Sequence, residues 1–285
     1  MKITIAHSPD SDDAFMFYAL AKNKINTLNY EFEHILCDIQ TLSAASIDEQ
    51  KYDVSAISFH AFVYADQYYD LMTCGASMGD NYGPTLITNE TESKNTKQLL
   101  ERIKEGKVEV AVPGLLTSAY LSLKLYAPDA KVKALNFDDI QPAIKKGDFE
   151  AGLIIHEGQL NYAKNGFCKL VNLGEWWFEK TNGLPLPLGA NIIRKSLSPQ
   201  VKSDLNELLK QSIEYSLNNK EEALNYALQF GRDLDKQEAA QFVGMYVNEL
   251  TLDLGQRGKD SVNVFFKEAF DLGLIPRLPK FEFVI

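Results

Sequence analysis

The sequence is poor in cysteine, histidine and tryptophan, and it has no long apolar run. Its 285 residues include three cysteines, four histidines and two tryptophans. Cys37, Cys74 and Cys168 are odd in number and far apart, with no CxxC pair. This usage argues against a secreted disulfide framework and against a cysteine-based zinc site. No stretch approaches the roughly 18 apolar residues of a membrane-spanning helix.

Positive charge is also scarce. Lysine and arginine total 29 against 39 aspartates and glutamates, a formal net charge of −10. An acidic chain offers no electrostatic footprint for nucleic acid or anionic lipid, so we expect neither nucleic-acid binding nor membrane insertion. A local basic pocket for an anionic small molecule stays compatible with this balance. A chain of this length buries roughly three quarters of its surface on folding and needs no metal or disulfide for stability.

The N-terminus has too short an apolar run for a secretory signal. The run over Lys2–Ala6 meets His7, Pro9 and Asp10 at once. A signal peptide requires an apolar stretch of roughly 7–15 residues at this place. We therefore expect a cytoplasmic protein.

Four short apolar runs predict buried strands that end in turn-forming or small residues: Lys2–Ala6, Val54–Ile57, Val108–Val112 and Ala151–Ile155. Helical spacing of apolar residues lies between or after them, over Asp13–Lys22, Thr117–Tyr126 and Asp138–Lys145. Alternation of strands and helices is typical of α/β proteins with mostly parallel sheets flanked by helices.

The C-terminal third is mostly helical. Ser198 and Pro199 form an N-cap followed by proline at the first helical position. Further helices are predicted over Lys220–Phe230, Lys236–Asn248 and Gly258–Leu272. We expect this helical third to pack on the first part of the chain.

Two segments, Gly83–Thr88 and Pro187–Arg194, are candidate crossings between two lobes. Each enters through glycine or proline, continues as a short β-prone run and ends in polar residues. The predicted division has a discontinuous first lobe of residues 1–88 and 190–285, and an inserted second lobe of residues 89–189. In two-lobed α/β proteins the ligand binds in the cleft, at the carboxyl ends of strands, so candidate site residues are sought there.

The turns after the first two strands each allow two interpretations. After the first strand, Asp12 or Asp13 is expected to cap the next helix. His7 or Ser8 alternatively faces a ligand there. After the second strand, small residues at Ala56 and Ser58 let a ligand approach the backbone. His60, next to Phe59 and Phe62, is interpreted as half-buried packing rather than catalytic.

The turn after the third strand contains two adjacent hydroxyls, Thr117 and Ser118. One of them is an N-cap under the simplest interpretation. Backbone N–H groups and hydroxyls at a helix start also make a cradle for a carboxylate or phosphate. The pattern leaves both interpretations open.

His156 directly follows the fourth strand and is the sharpest candidate for chemistry. At the end of an apolar strand, burial and Glu157 can bring the imidazole pKa near neutrality, as a general base requires. Adjacent strand residues point to opposite faces, so direct pairing with Glu157 is not assured. A lone histidine is also often structural. No second histidine stands at ligand spacing, and the sequence contains no GxSxG, GxxxxGK[ST] or GxGxxG motif.

Paired tryptophans, Trp176 and Trp177, precede the second crossing together with Asn182–Pro187. Such aromatic rings can stack on a planar substrate. The simpler interpretation is that they cover the core of the second lobe.

Four motifs occurring in order resemble one enzyme family. They are the strand–SPxxxDxF–helix pattern over His7–Tyr18, PGxxTSAY over Pro113–Tyr120, GLIIHE over Gly152–Glu157 and GLPLPLGA over Gly183–Ala190. Together they resemble the 1,4-dihydroxy-6-naphthoate synthases, enzymes of the futalosine route to menaquinone, along the whole chain. The sequence differs from the usual pattern of that family at Asp10–Asp12, Ser43 and Ala56.

The resemblance implies a two-lobed fold similar to type II periplasmic binding proteins. It also implies a lyase that converts cyclic dehypoxanthinylfutalosine, a small-molecule carboxylate, into 1,4-dihydroxy-6-naphthoate without a metal or organic cofactor. By motif, His156 would be the catalytic base. Ala56, Ile57, Ser58, Thr117 and Ser118 would bind the substrate.

Three other functions remain open at this point. One is the chorismate dehydratase of the same pathway, which shares the fold but not, to our expectation, the GLIIHE motif. Another is a non-catalytic solute-binding protein, against which the lack of an export signal argues. The third is the sensing domain of a regulator, which would be expected to have a DNA-binding appendage or a basic surface.

Overall fold

The computed structural model describes residues 1–91, 93–155, 158–230 and 236–284. Its strands, β1 to β12 in chain order, are Lys2–His7, Glu31–Leu36, Val54–Ser58, Tyr69–Met72, Ser77–Gly79, Thr85–Thr88, Glu109–Val112, Lys131–Ala134, Ala151–Ile154, Cys168–Asn172, Leu186–Arg194 and Phe283–Val284.

Thirteen α-helices are present among the described residues. In chain order, α1 to α13 are Ser11–Ala21, Ile39–Ala44, Phe59–Ala65, Ser93–Lys104, Ser118–Tyr126, Phe137–Lys146, Gly158–Asn161, Leu173–Lys180, Pro199–Asn218, Lys220–Ala227, Lys236–Tyr246, Glu249–Leu252 and Gly255–Asp271. A π-helical turn over Ala45–Glu49 continues α2. Within the described ranges, no helix is both long and apolar enough to cross a bilayer.

The chain divides into two compact units. Unit 1 contains residues 1–78, 189–259 and 279–285, and unit 2 contains residues 79–188 and 260–278. The chain thus leaves unit 1 between Met78 and Gly79, ahead of the predicted crossing at Gly83–Thr88. It returns between Leu188 and Gly189, inside the predicted segment Pro187–Arg194. Helices α9 to α12 belong to unit 1, whereas most of α13 belongs to unit 2.

The sheet of unit 1 has the order β12-β4-β11-β3-β1-β2, and β5 pairs with β11. Strands β2, β1 and β3 are parallel to one another, while β11 is antiparallel to β3 and β4. The carboxyl ends of β1, β2 and β3 therefore lie at one edge, together with the part of β11 that begins at Gly189. Turns that follow these strands meet along this edge.

The core of unit 1 forms between its sheet and α1, α9, α10 and α11. Helix α1 is buried almost all round because apolar residues occupy most of its positions, among them Phe15, Met16 and Phe17. Ser212 on α9 lies in this core and donates its hydroxyl to the Met16 carbonyl at 2.7 Å. Each fully buried Leu, Ile or Phe side chain contributes about 1.5–3 kcal/mol relative to exposure. Apolar contact between α1 and α9 thus fixes β1, and the turn after it, in place.

The sheet of unit 2 has the order β10-β6-β9-β7-β8. Strands β8, β7 and β9 are parallel, and β6 is antiparallel to both β9 and β10. Gly152 on β9 is required by close packing, since a Cβ there would lie 2.5 Å from Ile140 Cγ2 on α6. The carboxyl ends of β7, β8, β9 and β10 lie at one edge of this sheet.

The four strands predicted from apolar runs are confirmed within two residues at each end, as β1, β3, β7 and β9. The expected capping of α1 by Asp12 or Asp13 is wrong for the N-cap itself, which is Asp10, but both aspartates lie in the first turn, where they complement the helix dipole. The helix begins at Ser11, and Asp13 instead accepts a hydrogen bond from the Ser8 backbone N–H at 2.8 Å. That bond folds the turn back on the first helical turn, so the helix begins earlier than its charged residues indicate.

Candidate active site

The edge of unit 1 contains the predicted substrate-binding residues Ala56, Ile57 and Ser58. Ala56 is 6% exposed and packs in a cluster with Leu42 of α2. Ile57 is fully buried, and Ser58 is 6% exposed at the end of β3. The Ser58 hydroxyl accepts the Ala61 N–H at 3.1 Å and so caps α3. Ser58 lies at the strand end as predicted, and a structural duty already occupies its side chain; substrate binding by these three residues stays a prediction.

His7 does not lie at the surface of the β1–α1 turn. Its ring stacks on Phe17 at a centroid distance of 4.3 Å and is 4% exposed. Its Nδ1 lies 2.9 Å from the Ser8 carbonyl oxygen, and its Nε2 lies 3.3 Å from His34 Nδ1. Because a carbonyl only accepts, Nδ1 of His7 carries the proton, and His34 donates to its Nε2. The side chain thus belongs to the core rather than to a ligand-facing surface.

Burial determines the charge of this histidine pair. Desolvation, with a smaller repulsion from His34, lowers the pKa of His7 from 6.5 to about 3. Desolvation also lowers the pKa of His34. Both imidazoles are consequently neutral at physiological pH.

His60 is 3% exposed, which is deeper than the half-buried position expected for it. Ser43 on α2 is 2% exposed. Its neighbour in the same helical segment, Ser46, lies within the π-helical turn and is fully buried. These side chains pack inside unit 1.

The edge of unit 2 brings together several turns that are distant in sequence. Helix α5 begins after β7, and the chain leaves β9 at Ile154, beside β7 in the sheet. Thr85 at the start of β6 lies opposite both Ile154 and Asn172, the last residue of β10. The N-termini of α5 and α8 therefore lie along the same sheet edge.

Thr117 and Ser118 form the N-terminus of α5 as predicted. Thr117 is the N-cap, since its Oγ1 accepts the Tyr120 N–H at 3.1 Å and donates to the Gly114 carbonyl at 2.8 Å. Ser118 Oγ donates to the Leu188 carbonyl at 2.6 Å. Each hydroxyl has a single proton, and both protons are thus given to backbone carbonyls.

These two hydrogen bonds determine which groups at the start of α5 can bind an anion. A carboxylate is an acceptor, so it needs donors, and these two hydroxyl protons are committed elsewhere. The backbone N–H groups in the first turn of α5 are the groups that no intrahelical carbonyl accepts, and the helix dipole favours negative charge there. Anion binding at Ser118 would therefore use backbone donors.

His156 and Glu157 lie outside the described residues, so the predicted catalytic base is not part of this geometry. The described chain reaches Ile155 and resumes at Gly158. A Cβ on Gly158 would lie 3.1 Å from Gln141 Nε2 of α6. The segments that flank the histidine thus belong to the unit 2 edge that also contains Ser118.

Asn172 at this edge was not singled out from the sequence. It caps α8 by accepting the Gly174 N–H at 2.9 Å, and its amide donates to the Gly83 carbonyl at 3.2 Å and to Thr85 Oγ1 at 3.1 Å. Its position before a helix is a recognisable N-cap signal. Its tertiary contacts link β6 and β10, which sequence spacing does not reveal.

The paired tryptophans have different surroundings. Trp177 is fully buried, donates from Nε1 to Ser261 Oγ at 3.3 Å and meets Phe265 at 5.6 Å between ring centroids. Trp176 is half-buried and contacts Tyr126 at 5.4 Å. Coverage of the core is confirmed for Trp177.

Metal ligands are sparse in the part of the chain that the structure describes. No group of three or more histidine, cysteine, aspartate or glutamate side chains there could hold a metal ion. Cys37, Cys74 and Cys168 are all free thiols.

Solved structures of other proteins have the same fold as this chain. A crystal structure of a protein from Archaeoglobus fulgidus superposes with a TM-score of 0.88 at 38% identity, over 96% of this chain and 98% of that one. The periplasmic aliphatic sulphonate binding protein of Escherichia coli superposes with a TM-score of 0.62 at 11% identity, over 98% of this chain and 89% of that one. The second likeness shows the fold alone, and it confirms the predicted periplasmic-binding-protein-like architecture.

Sequence relatives extend over nearly the whole chain. A protein of Thermus thermophilus named 1,4-dihydroxy-6-naphthoate synthase is 34% identical over 282 residues, covering 99% of each chain. A protein of Streptomyces coelicolor with the same name is 31% identical over 285 residues, covering 97% of this chain and 95% of that one. The family model described as menaquinone biosynthesis matches residues 3–271. The chain belongs to this menaquinone biosynthesis family.

Proposed function

We propose that this protein is a carbon–carbon lyase that forms 1,4-dihydroxy-6-naphthoate from cyclic dehypoxanthinylfutalosine. The observation that carries the proposal is the similarity to two relatives of that name over nearly the full length of the chain. The sheet edge of unit 2, where helix α5 begins beside the end of β9, supports it. Such edges are where α/β proteins bind ligands.

His156 is the proposed base. It removes the proton from a substrate hydroxyl, and the electron pair of that O–H bond forms a carbonyl as the adjacent carbon–carbon bond breaks. The pair released from this bond enters the ring as an enolate, which takes up a proton and enolises to the dihydroxynaphthoate. The sugar-derived fragment leaves with its new carbonyl. Atoms and electrons balance without an oxidant or reductant.

Anchoring of the substrate carboxylate is assigned to the first turn of α5. Its backbone N–H groups are the donors, while Thr117 and Ser118 hold the turn in shape through Gly114 and Leu188. Ala56, Ile57 and Ser58 are proposed to contact another part of the substrate. Aromatisation drives the reaction, so the enzyme mainly supplies a placed base and a fixed orientation.

The alternatives are a chorismate dehydratase and a solute-binding protein. Neither is favoured, because both curated relatives have the name of the naphthoate synthase. Incubation of the purified protein with cyclic dehypoxanthinylfutalosine and, separately, with chorismate distinguishes the three when products are followed by mass spectrometry. Release of the naphthoate supports the proposal, and dehydration of chorismate or binding without turnover contradicts it.

Substitution of the base provides the sharper test. His156→Asn is expected to lower kcat by about 10²–10⁴-fold, the usual contribution of a positioned base. Its Kd for the naphthoate product should stay within about threefold of wild type, because product binding does not use proton transfer. His34→Gln, another histidine substitution, serves as the control and should retain turnover. Near wild-type turnover by His156→Asn would show that the base is another group.

A further inference from the structure

A row of mostly small side chains lies on one face of the unit 1 sheet, at its carboxyl edge. In the pairing of β3 with β11, Ser58 lies opposite Gly189, and Ala56 lies opposite Asn191. Residues directly opposite in a sheet share a face, and so do residues two apart on one strand. These four residues therefore share a face, and all except Asn191 are small. We call them the β3–β11 row.

At the end of this row, the backbone of Gly189 has space for a methyl group. A Cβ built there would have the Ile57 carbonyl oxygen at 3.7 Å and Ser77 Cβ at 3.8 Å as its nearest atoms, which is ordinary van der Waals contact. Gly189 itself is partly exposed. Asn191 lies two residues deeper, about 7 Å along the strand, and is 1% exposed.

Asn191 presents a hydrogen-bond acceptor in this position. Its Nδ2 donates to the Gly75 carbonyl at 2.8 Å, and a carbonyl fixes which end of the amide faces it. Gly75 is required there, since it has φ +75° and a Cβ would lie 2.3 Å from that same Nδ2. The amide is thus held in one orientation, with Oδ1 turned away from Gly75. Among the described residues, this buried Oδ1 has no hydrogen-bond partner.

An unpaired buried acceptor costs about 1–3 kcal/mol and is normally satisfied by some donor. A ligand hydroxyl is a donor of the right size for a row of glycine, alanine and serine. The absence of lysine or arginine among the residues of the row disfavours a carboxylate as the occupant.

We propose that the β3–β11 row is the subsite for the hydroxyl-bearing, sugar-derived part of the substrate, with Asn191 Oδ1 accepting a substrate hydroxyl. This inference rests on the proposed function and adds to it the part of the substrate that unit 1 recognises. Asn191 would be a positioning and specificity residue, because it holds the fragment that departs when the carbon–carbon bond breaks.

The product supplies the test, since 1,4-dihydroxy-6-naphthoate lacks the sugar-derived part. Gly189→Ala fills the space at the end of the row without disturbing Asn191 or Gly75, and its new methyl group has only ordinary contacts. We expect KM for cyclic dehypoxanthinylfutalosine to rise about tenfold or more, as for a pocket made too small by one carbon. The inhibition constant of the naphthoate should stay within about threefold. Gly244→Ala, where a Cβ meets nothing within 4 Å, is the matched control.

Asn191→Ala removes the acceptor itself and is expected to lower kcat/KM about tenfold, with the same unchanged product inhibition. Gly189→Ala keeps the proposal testable if loss of the Gly75 bond prevents Asn191→Ala from folding. An unchanged KM in Gly189→Ala overturns the subsite, and an equal weakening of substrate and product overturns its assignment to the sugar-derived part. Failure of the wild-type protein to turn over the substrate instead refutes the proposed function, and this inference falls with it.

Discussion

Buried His7 and its half-buried partner His34 lead to a specific expectation for acid stability. In the folded protein the pKa of His7 is about 3, whereas an unfolded chain has the ordinary value of 6.5. Below pH 6.5 protons therefore bind preferentially to the unfolded chain, and stability falls as the pH falls towards 3. Above pH 6.5 neither state takes up this proton, and the contribution is constant.

The magnitude follows from the size of the pKa difference. Each pH unit below 6.5 costs about 1.4 kcal/mol for one such group, so about 2 kcal/mol is lost between pH 6.5 and pH 5. His34 adds to the loss, because its pKa is lowered as well. In a urea titration with an m-value of about 3 kcal/mol/M, 2 kcal/mol moves the midpoint by about 0.7 M.

Replacement of the ring isolates the effect. His7→Phe keeps an aromatic ring stacked on Phe17 but loses the hydrogen bonds of the imidazole, so its free energy of unfolding at pH 8 should fall by about 1–2 kcal/mol. Because phenylalanine does not titrate, the stability of this variant should then depend less steeply on pH. Phe17→Leu is the control, because it removes the stacking partner and leaves both imidazoles in place. Its stability should be lower at every pH with the wild-type slope. Urea unfolding followed by far-ultraviolet circular dichroism at pH 8, 6.5 and 5 measures all three proteins, and identical slopes for wild type and His7→Phe would refute the reasoning.

Two further expectations concern unit 2. Ser118→Ala should change KM less than about threefold, because the hydroxyl proton of Ser118 is donated to the Leu188 carbonyl. Loss of this hydrogen bond should lower the free energy of unfolding by about 1–2 kcal/mol. A tenfold rise in KM would show that the hydroxyl itself binds substrate. Gly174→Ala should cost about 3 kcal/mol or more, since its Cβ would lie 1.8 Å from the Tyr82 carbonyl oxygen. Thermal unfolding of this variant beside Gly244→Ala measures the difference, and equal midpoints would contradict the close packing at Tyr82.

Strands buried on both faces could be predicted from the sequence, whereas edge strands could not. The apolar runs of β1, β3, β7 and β9 are visible because nearly every residue in them is buried. Strand β8 contains Lys131 and Lys133 at exposed positions, and β12 has only two residues. Such strands depend on the neighbour with which they pair, and periodicity does not encode that neighbour.

The same distinction applies to the site. The helix start at Thr117 could be predicted because capping is local. The commitment of the Ser118 proton to Leu188 could not, since the two residues are 70 positions apart in the chain. The acceptor of Asn191 likewise depends on Gly75 across the sheet. Local sequence patterns therefore locate the strand ends at which the candidate site lies. Long-range hydrogen bonds determine which donors and acceptors at those strand ends are still available to a ligand.

The interleaving of the two units has a consequence for biosynthesis on the ribosome. All five strands of the unit 2 sheet lie within residues 85–172, so that sheet can assemble while the rest of the chain is still being translated. The unit 1 sheet must wait for β11 to reach β3 and for β12 to reach β4. Strands β1, β2 and β3 can pair with one another soon after they emerge. The edges of β3 and β4 that pair with β11 stay open until that strand has been translated, so these edges need protection until then.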